Sequence, residues 1–311
     1  MREFKIIVDS SCDLSIELRK RFHIEEEYCQ GTINCPDGKS YKADLDYHEF
    51  SPKDFLTLVR ANGGKMKSSL PSLGGMVDLF TKYAKNDSDL LVITLSSRMS
   101  GGYNAAVVAS NMVKEKYPEI EIYVIDSLKY SAAIGMLAIL ASQLREEGKS
   151  LKETYDIIQK QKMCLHEFGP MDDLFYLYKS GRIDFGKAFF GNLAGVIPMA
   201  DFTRDGKNVP LGKLRGTKKI SNTVINYMKE IAIDLQNQII FIAHTDRESR
   251  AKTLKELVET SFKPKEVIIV DVGMTCATNI GPGLCSVFFF GKELTEDRHT
   301  ELEAFYRAIN V

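Results

Sequence analysis

No C-x-x-C pair occurs among the six cysteines, Cys12, Cys29, Cys35, Cys164, Cys276 and Cys285, and no His-rich segment lies near them. Their spacing excludes the ordinary zinc sites. Cysteines scattered through a chain of this length read as small buried hydrophobes in a reducing compartment. Long apolar runs are missing too. The longest, Ala132 to Ala141, is too short to cross a bilayer. At the start, MREFKIIVDSS departs from a signal peptide because Asp9 interrupts the apolar residues Phe4 to Val8, which read instead as a strand. Excess charge of either sign is absent: 41 Lys and Arg against 42 Asp and Glu leave a net charge of -1. Such a balance gives no pull toward nucleic acid or an anionic membrane. The expectation is a cytoplasmic protein without stable membrane insertion.

Catalytic templates are equally lacking. There is no G-x-S-x-G elbow and no P-loop, and Gly281-Pro282-Gly283 has no third glycine to make a dinucleotide fingerprint. None of the five histidines, His23, His48, His166, His244 and His299, is spaced as H-E-x-x-H. His244 ends a predicted strand, where an ordinary strand-end role is the better reading. No enzyme activity, cofactor or metal is expected.

What the chain does have is 44% hydrophobic and 27% charged residues over 311 positions, enough for one large or two ordinary globular domains. Phe4 to Val8, Leu90 to Leu95 and Ile120 to Ile125 are short, largely apolar runs of the kind buried on both faces of a parallel sheet. Helical patterns lie between them. Ser51-Pro52-Lys53-Asp54 opens one, Ser72 the next, and Ser131 to Glu147 is a long apolar helix stopped by Gly148. Ser150-Leu151-Lys152-Glu153 is a capping box. This alternation predicts a three-layer α/β/α domain with a mainly parallel sheet over residues 1–162. Beyond it, Pro198 to Phe202 and Val209 to Arg215 read as a hairpin around Arg204-Asp205-Gly206-Lys207. Further strands are expected at Gln238 to His244, Val267 to Val272 and Leu284 to Phe290. Helices are expected at Ser221 to Leu235, Arg247 to Phe262 and Thr295 to Ile309. Residues 163–311 are therefore assigned to a second α/β domain with a mixed sheet.

Three segments rich in small hydroxyl residues stand where an open α/β sheet binds ligands. The first is Asp9-Ser10-Ser11-Cys12-Asp13, in which helix capping is the expected role of Asp13. The second is Lys67-Ser68-Ser69-Leu70-Pro71-Ser72, where Ser72 is the cap and Ser68 and Ser69 have no capping use. The third runs from Ser96 and Ser97 to Gly101-Gly102-Tyr103-Asn104, with glycines that let the backbone approach a ligand. Hydroxyls and amides at a helix N-terminus suit an anion. Two basic clusters, Lys179-Ser180-Gly181-Arg182 and Lys213-Leu214-Arg215-Gly216-Thr217-Lys218-Lys219, suit an acidic partner or plain solvent.

In order, IIVDSSCDLS at 6–15, SSLPS at 68–72, ITLSSRMSGGYNAA at 93–106, VIDS at 124–127, LYKSGRI at 177–183, DGK at 205–207, KLRGTKK at 213–219 and GPG at 281–283 resemble the DegV family of bacterial fatty-acid-binding proteins. The resemblance implies two α/β domains with a long-chain fatty acid buried between them. It implies a carboxylate held by hydroxyls, and presentation of the acid to a separate fatty acid kinase that makes the acyl phosphate. By the same resemblance Ser68 and Ser69 match one head-group pair, Ser96 and Ser97 the other, and Arg182 and Arg215 match basic positions tied to kinase docking. Asn279 stands where the family usually has His. Asn can donate a hydrogen bond but cannot carry a positive charge. Ser68 replaces a common Thr, and Leu70 a common Gln. For the acyl chain, the glycine-interspersed segment with Phe185, Phe189, Phe190, Leu193, Ile197 and Met199 is the expected wall. The alternatives are a phosphotransferase-type enzyme component, or a regulatory lipid-binding module with a different head group.

Overall fold

The computed structural model describes residues 2–182, 195–217 and 219–310. It divides into two compact units. The first holds Met1–Glu49, Met66–Lys162 and Gly273–Cys276; the second holds Phe50–Lys65, Met163–Val272 and Ala277–Val311. Two short segments thus depart from a division at residue 162, because residues 50–65 and 273–276 pack with partners remote in sequence.

The first unit is built on three parallel strands in the order β1 (Phe4–Val8), β5 (Asp89–Thr94), β6 (Ile122–Asp126). β5 lies in the middle and is buried along its whole length, which is why LLVIT carries no polar alternation. The helices Leu73–Lys85 and Gly102–Lys116 pack together over one face, and Ala132–Glu146 and Leu151–Gln161 pack together over the other. Ile7, Leu90, Val92, Ile122 and Val124 join Met76, Phe80, Ala106 and Ala109 in one core cluster. This is the expected three-layer α/β/α arrangement. The caps read from sequence are present: Ser72 accepts from the Gly75 N–H at 3.1 Å, and Ser150 and Glu153 form the reciprocal capping box.

A small antiparallel sheet of three-residue strands is an addition that the sequence did not suggest. Its order is β3 (Ser40–Lys42), β2 (Thr32–Asn34), β4 (Lys67–Ser69). β4 pairs with β2 so that Ser69 faces Thr32 and Ser68 faces Ile33. Ser68 and Ser69 are therefore strand residues and not loop residues.

The second unit carries six strands in the order β11 (Glu266–Asp271), β10 (Ile239–His244), β12 (Cys285–Phe290), β7 (Leu165–Pro170), β8 (Val196–Phe202), β9 (Asn208–Arg215). Only β10 and β11 run parallel; the other pairings are antiparallel, so the sheet is mixed. The helices Ile220–Ile231, Glu248–Phe262 and His299–Ile309 supply its core with Val224, Tyr227, Met228, Leu254 and Phe305 against Phe168, Ile240, Ile242 and Val287. Among the described residues no helix is long and apolar enough to cross a membrane. All six cysteines are free thiols, and burial pushes that of Cys285 up to about 12.

Candidate functional site

In the first unit, the loops after β1, β5 and β6 leave the same end of three parallel strands, and buried carboxylates tie them together. Asp9 Oδ2 accepts the Leu95 N–H at 2.7 Å, while its Oδ1 accepts the N–H and the hydroxyl of Ser11. Asp126 Oδ1, at the end of β6, accepts the Ser97 N–H at 3.0 Å and the Leu128 N–H at 3.2 Å. The Lys162 ammonium donates to the Asp126 carbonyl at 2.6 Å. Ser10 Oγ accepts the Gly31 N–H at 3.1 Å and lies 3.0 Å from the Thr275 hydroxyl.

Asp13 is not the helix cap expected of it. Ser15 caps the Ile16–Arg21 helix through the Leu18 N–H, and Asp13 adopts a left-handed φ of 54°. Its Oδ1 accepts the Gly273 N–H at 2.8 Å and its Oδ2 accepts the Ser131 hydroxyl. Gly273 and Ser131 are remote from it in sequence, so no local pattern announces either bond.

The four candidate head-group hydroxyls are not equivalent. Ser96 is fully buried; its Oγ accepts the Arg98 N–H at 3.2 Å, and its own N–H donates to the Lys129 carbonyl at 2.9 Å. It shapes the turn. Ser97 is half-buried, its N–H is fixed by Asp126, and its hydroxyl has no hydrogen-bond partner among the described residues. Ser69 is exposed and its Oγ accepts from Asn34 Nδ2 at 2.9 Å, so its proton is still available to a ligand. Ser68, beside it on β4, is half-buried. The two Ser-Ser segments are neighbours: a Cβ placed on Gly101 would sit 3.7 Å from Leu70 Cδ2.

The other candidates belong to the second unit. Asn279 lies near the end of the Met274–Ile280 helix, ahead of the turn Gly281-Pro282-Gly283, and is half-buried. Ile197 and Met199 are on β8; Met199 is fully buried in the core and Ile197 packs against it. Phe185, Phe189, Phe190 and Leu193 lie outside the described residues. Arg182 follows the Phe175–Ser180 helix and Arg215 ends β9; both are exposed, and among the described residues neither is paired with a carboxylate.

Among the described residues, one group of side chains has metal-ligand spacing: Asp44, Asp46 and His48. Their atoms are already engaged. Asp44 Oδ1 accepts the Asp46 N–H at 3.0 Å, and Oδ2 meets the N–H and Nδ1 of His48 at 2.7 and 2.8 Å. Asp46 accepts from the Ile16 N–H and, at 2.9 Å, from Arg19. The hydrogen bond to Asp44, and its charge, raise the His48 pKa. A histidine raised on folding adds stability below its unfolded value of about 6.5 and loses it as pH rises through the folded value. Chemical denaturation at a series of pH values is expected to show that fall, and His48→Gln to remove it.

A model of "Uncharacterised protein, DegV family" matches residues 3–292. The chain belongs to the DegV family. Its DegV relatives include a DegV domain-containing protein of Streptococcus pyogenes serotype M1, 30% identical over 289 residues that cover 93% of this chain and 98% of the relative. One from Clostridium perfringens is 30% identical over 291 residues, covering 94% and 98%. Among solved structures, a DegV lipid binding protein of Thermotoga maritima superposes with a TM-score of 0.81 at 27% identity, covering 94% of this chain and 100% of the other. A DegV family protein of Ruminococcus gnavus, refined with vaccenic acid, gives 0.80 at 25% identity, covering 92% and 99%. A second Thermotoga maritima protein, described as revealing fatty acid binding function, gives 0.80 at 25% identity over 94% and 100%.

Within this DegV chain, hydroxyl-rich composition is enough to point to the Ser-Ser segments. It does not point to Asp9 and Asp126, the carboxylates that hold the Leu95 and Ser97 N–H groups. Their signal in the sequence is position: each stands at or just beyond the end of a predicted parallel strand, with serine following.

Proposed function

We propose that the chain is a non-enzymatic carrier of a long-chain fatty acid whose carboxylate is held by Ser97, Ser69 and Ser68, with Ser96 holding the turn. The observation that carries this reading is Ser97: a half-buried hydroxyl with no partner among the described residues, on a backbone fixed by Asp126. A carboxylate accepts hydrogen bonds and supplies none, so hydroxyl protons and amide N–H groups are the donors it needs. The vaccenic acid in the Ruminococcus gnavus relative and the fatty acid binding of the Thermotoga maritima relative support the same class of ligand.

The finer parts of the reading follow from the family resemblance. The acyl chain lies between the two units, against the segment from Phe185 to Met199, and Asn279 donates a third hydrogen bond to the head group. A fatty acid kinase docks on Arg182 and Arg215, two exposed cations with no carboxylate partner among the described residues. The setting is the cytoplasm, in keeping with six free thiols.

Mass spectrometry of the denatured protein from a bacterial host is expected to release a long-chain fatty acid. Ser97→Ala should weaken acid binding by about 1–3 kcal/mol, the cost of leaving a charged acceptor short of a donor. Wild-type affinity in that variant would remove Ser97 from the site, and protein free of lipid would sink the reading. Arg215→Glu should leave fatty acid binding intact and abolish acyl phosphate formation with the kinase present; unchanged turnover would exclude Arg215 from docking.

A further inference from the structure

β11 (Glu266–Asp271) is the last strand at one edge of the second unit's sheet, and β10 is its neighbour there. Along an edge strand of a parallel pair, one residue bonds inward and the next points its main chain outward. The Glu266 and Val272 N–H groups donate to the Gln238 and His244 carbonyls, so Glu266, Ile268, Val270 and Val272 form the inward set. Val267, Ile269 and Asp271 present their N–H and C=O groups outward. Among the described residues none of those three N–H groups has a hydrogen-bond partner. Of the three carbonyls, that of Val267 accepts the Lys255 ammonium at 2.6 Å and keeps a second lone pair.

The opposite edge of the same sheet is guarded. β9 (Asn208–Arg215) carries Pro210, which has no N–H, and Lys213, and its pairing with β8 shifts register between Met199 and Ala200. Features of this kind keep a sheet edge from pairing with another chain. Between Glu266 and Asp271 there is no proline, no lysine and no shift in register. Ile268 and Ile269 are half-buried and point to opposite faces of the sheet.

We propose that β11 pairs antiparallel with β11 of a second copy of this chain about a two-fold axis, joining the two sheets edge to edge. Such an axis makes a surface its own partner, so the strand must be complementary to itself. In one register it is. With Ile268 opposite Ile268 of the copy, Val267 and Ile269 exchange their outward N–H and C=O groups across the axis, and Lys265 stands opposite Asp271 at both ends. Directly opposed residues point to the same face, where opposite charges attract. Both residues are exposed. Lys265 has no ion pair among the described residues, and Asp271 has His244 at 3.6 Å. Shifting the pairing so that Ile269 lies on the axis sets Asp271 against Val267 and leaves both charges unanswered. The contact is one strand wide, so the dimer is weak, with a Kd on the order of 10–100 µM.

Sedimentation velocity of the full chain between about 5 and 500 µM should show a monomer giving way to a dimer as concentration rises. Amide hydrogen exchange at Val267 and Ile269 should slow over the same range. Lys265→Glu and Asp271→Lys each set like charges opposite one another and should weaken the dimer about tenfold or more. An equimolar mixture of the two variants should associate as the wild type does, because each then offers the charge that the other lacks. Lys265 is exposed, so its variant should keep the wild-type unfolding midpoint and tests the register even where Asp271→Lys disturbs the fold. A chain still monomeric at about 500 µM overturns the proposal. So does a dimer that Lys265→Glu leaves as strong as before, or one that forms without protecting Val267 and Ile269. Two folded variants that fail to associate when mixed overturn the pairing of Lys265 with Asp271.

Discussion

Asp201→Ala is expected to lower the stability of this protein by about 3–5 kcal/mol, the cost of breaking a buried ion pair from one side. Asp201 is fully buried and its two oxygens accept four hydrogen bonds. Oδ2 takes His166 Nδ1 and the Tyr227 hydroxyl, both at 2.7 Å; Oδ1 takes the N–H groups of Glu167 at 2.9 Å and Phe202 at 2.7 Å. The other nitrogen of His166, Nε2, faces the Lys292 carbonyl at 2.7 Å. Both nitrogens of that ring are held, one by Asp201 and one by the Lys292 carbonyl, so the ring bridges two parts of the core. Burial first, then the Asp201 charge, pushes the Tyr227 phenol well above its ordinary range and keeps it a donor. Removing Asp201 strands an imidazole, a phenol and two amides inside a core where Phe168 stacks on Tyr227 with ring centroids 3.8 Å apart. Urea unfolding followed by circular dichroism measures the loss. Asp201→Asn keeps the shape and part of the hydrogen bonding, and should fall between the wild type and Asp201→Ala. A loss below about 1 kcal/mol for Asp201→Ala, the size of one ordinary hydrogen bond, would mean that the network is not the ion pair described here.

That network also marks where the sequence stops being legible. β1, β5, β6 and β10 announce themselves because strands buried on both faces need continuous apolar residues. β7 does not: LHEFGP places His166 and Glu167 inside a fully buried strand, and their partners, Asp201 and Asn208, come from β8 and β9. A polar pair in a buried strand makes sense only once the partner is known. β2, β3 and β4 escape for a different reason. Three residues such as Lys67-Ser68-Ser69 are too few to show a period. The chemistry divides the same way. Local composition marks Ser68, Ser69, Ser96 and Ser97, and the three-dimensional structure then separates Ser96, consumed by its own turn, from Ser97, which is free to serve a ligand. His244 reads as an ordinary strand end, yet it lines a cavity, because the starts of helices far apart in sequence assemble around it.

Gly281→Ala is the second large effect, about 3 kcal/mol or more of lost stability. Two independent costs meet at this residue. Its φ of +71° is left-handed, which charges an L side chain about 1–2 kcal/mol. A Cβ there would also run into the ring of Tyr176, which is 7% exposed and has little room to swing away. Overpacking of that kind costs about 1–3 kcal/mol more. Gly181 separates the two contributions. It has nearly the same φ, +70°, but among the described residues nothing lies within 4 Å of an added Cβ, so Gly181→Ala should show the backbone cost alone. Gly281 also donates its N–H to the Ala277 carbonyl at 2.8 Å, closing the turn after the helix that carries Asn279. If Asn279 holds the head group, Gly281→Ala should weaken fatty acid binding as well as stability, while Gly181→Ala should change stability only. Equal unfolding free energies for the two variants would show that Tyr176 yields freely. Unchanged fatty acid affinity in Gly281→Ala would detach the turn at 281–283, and Asn279 with it, from the head-group site.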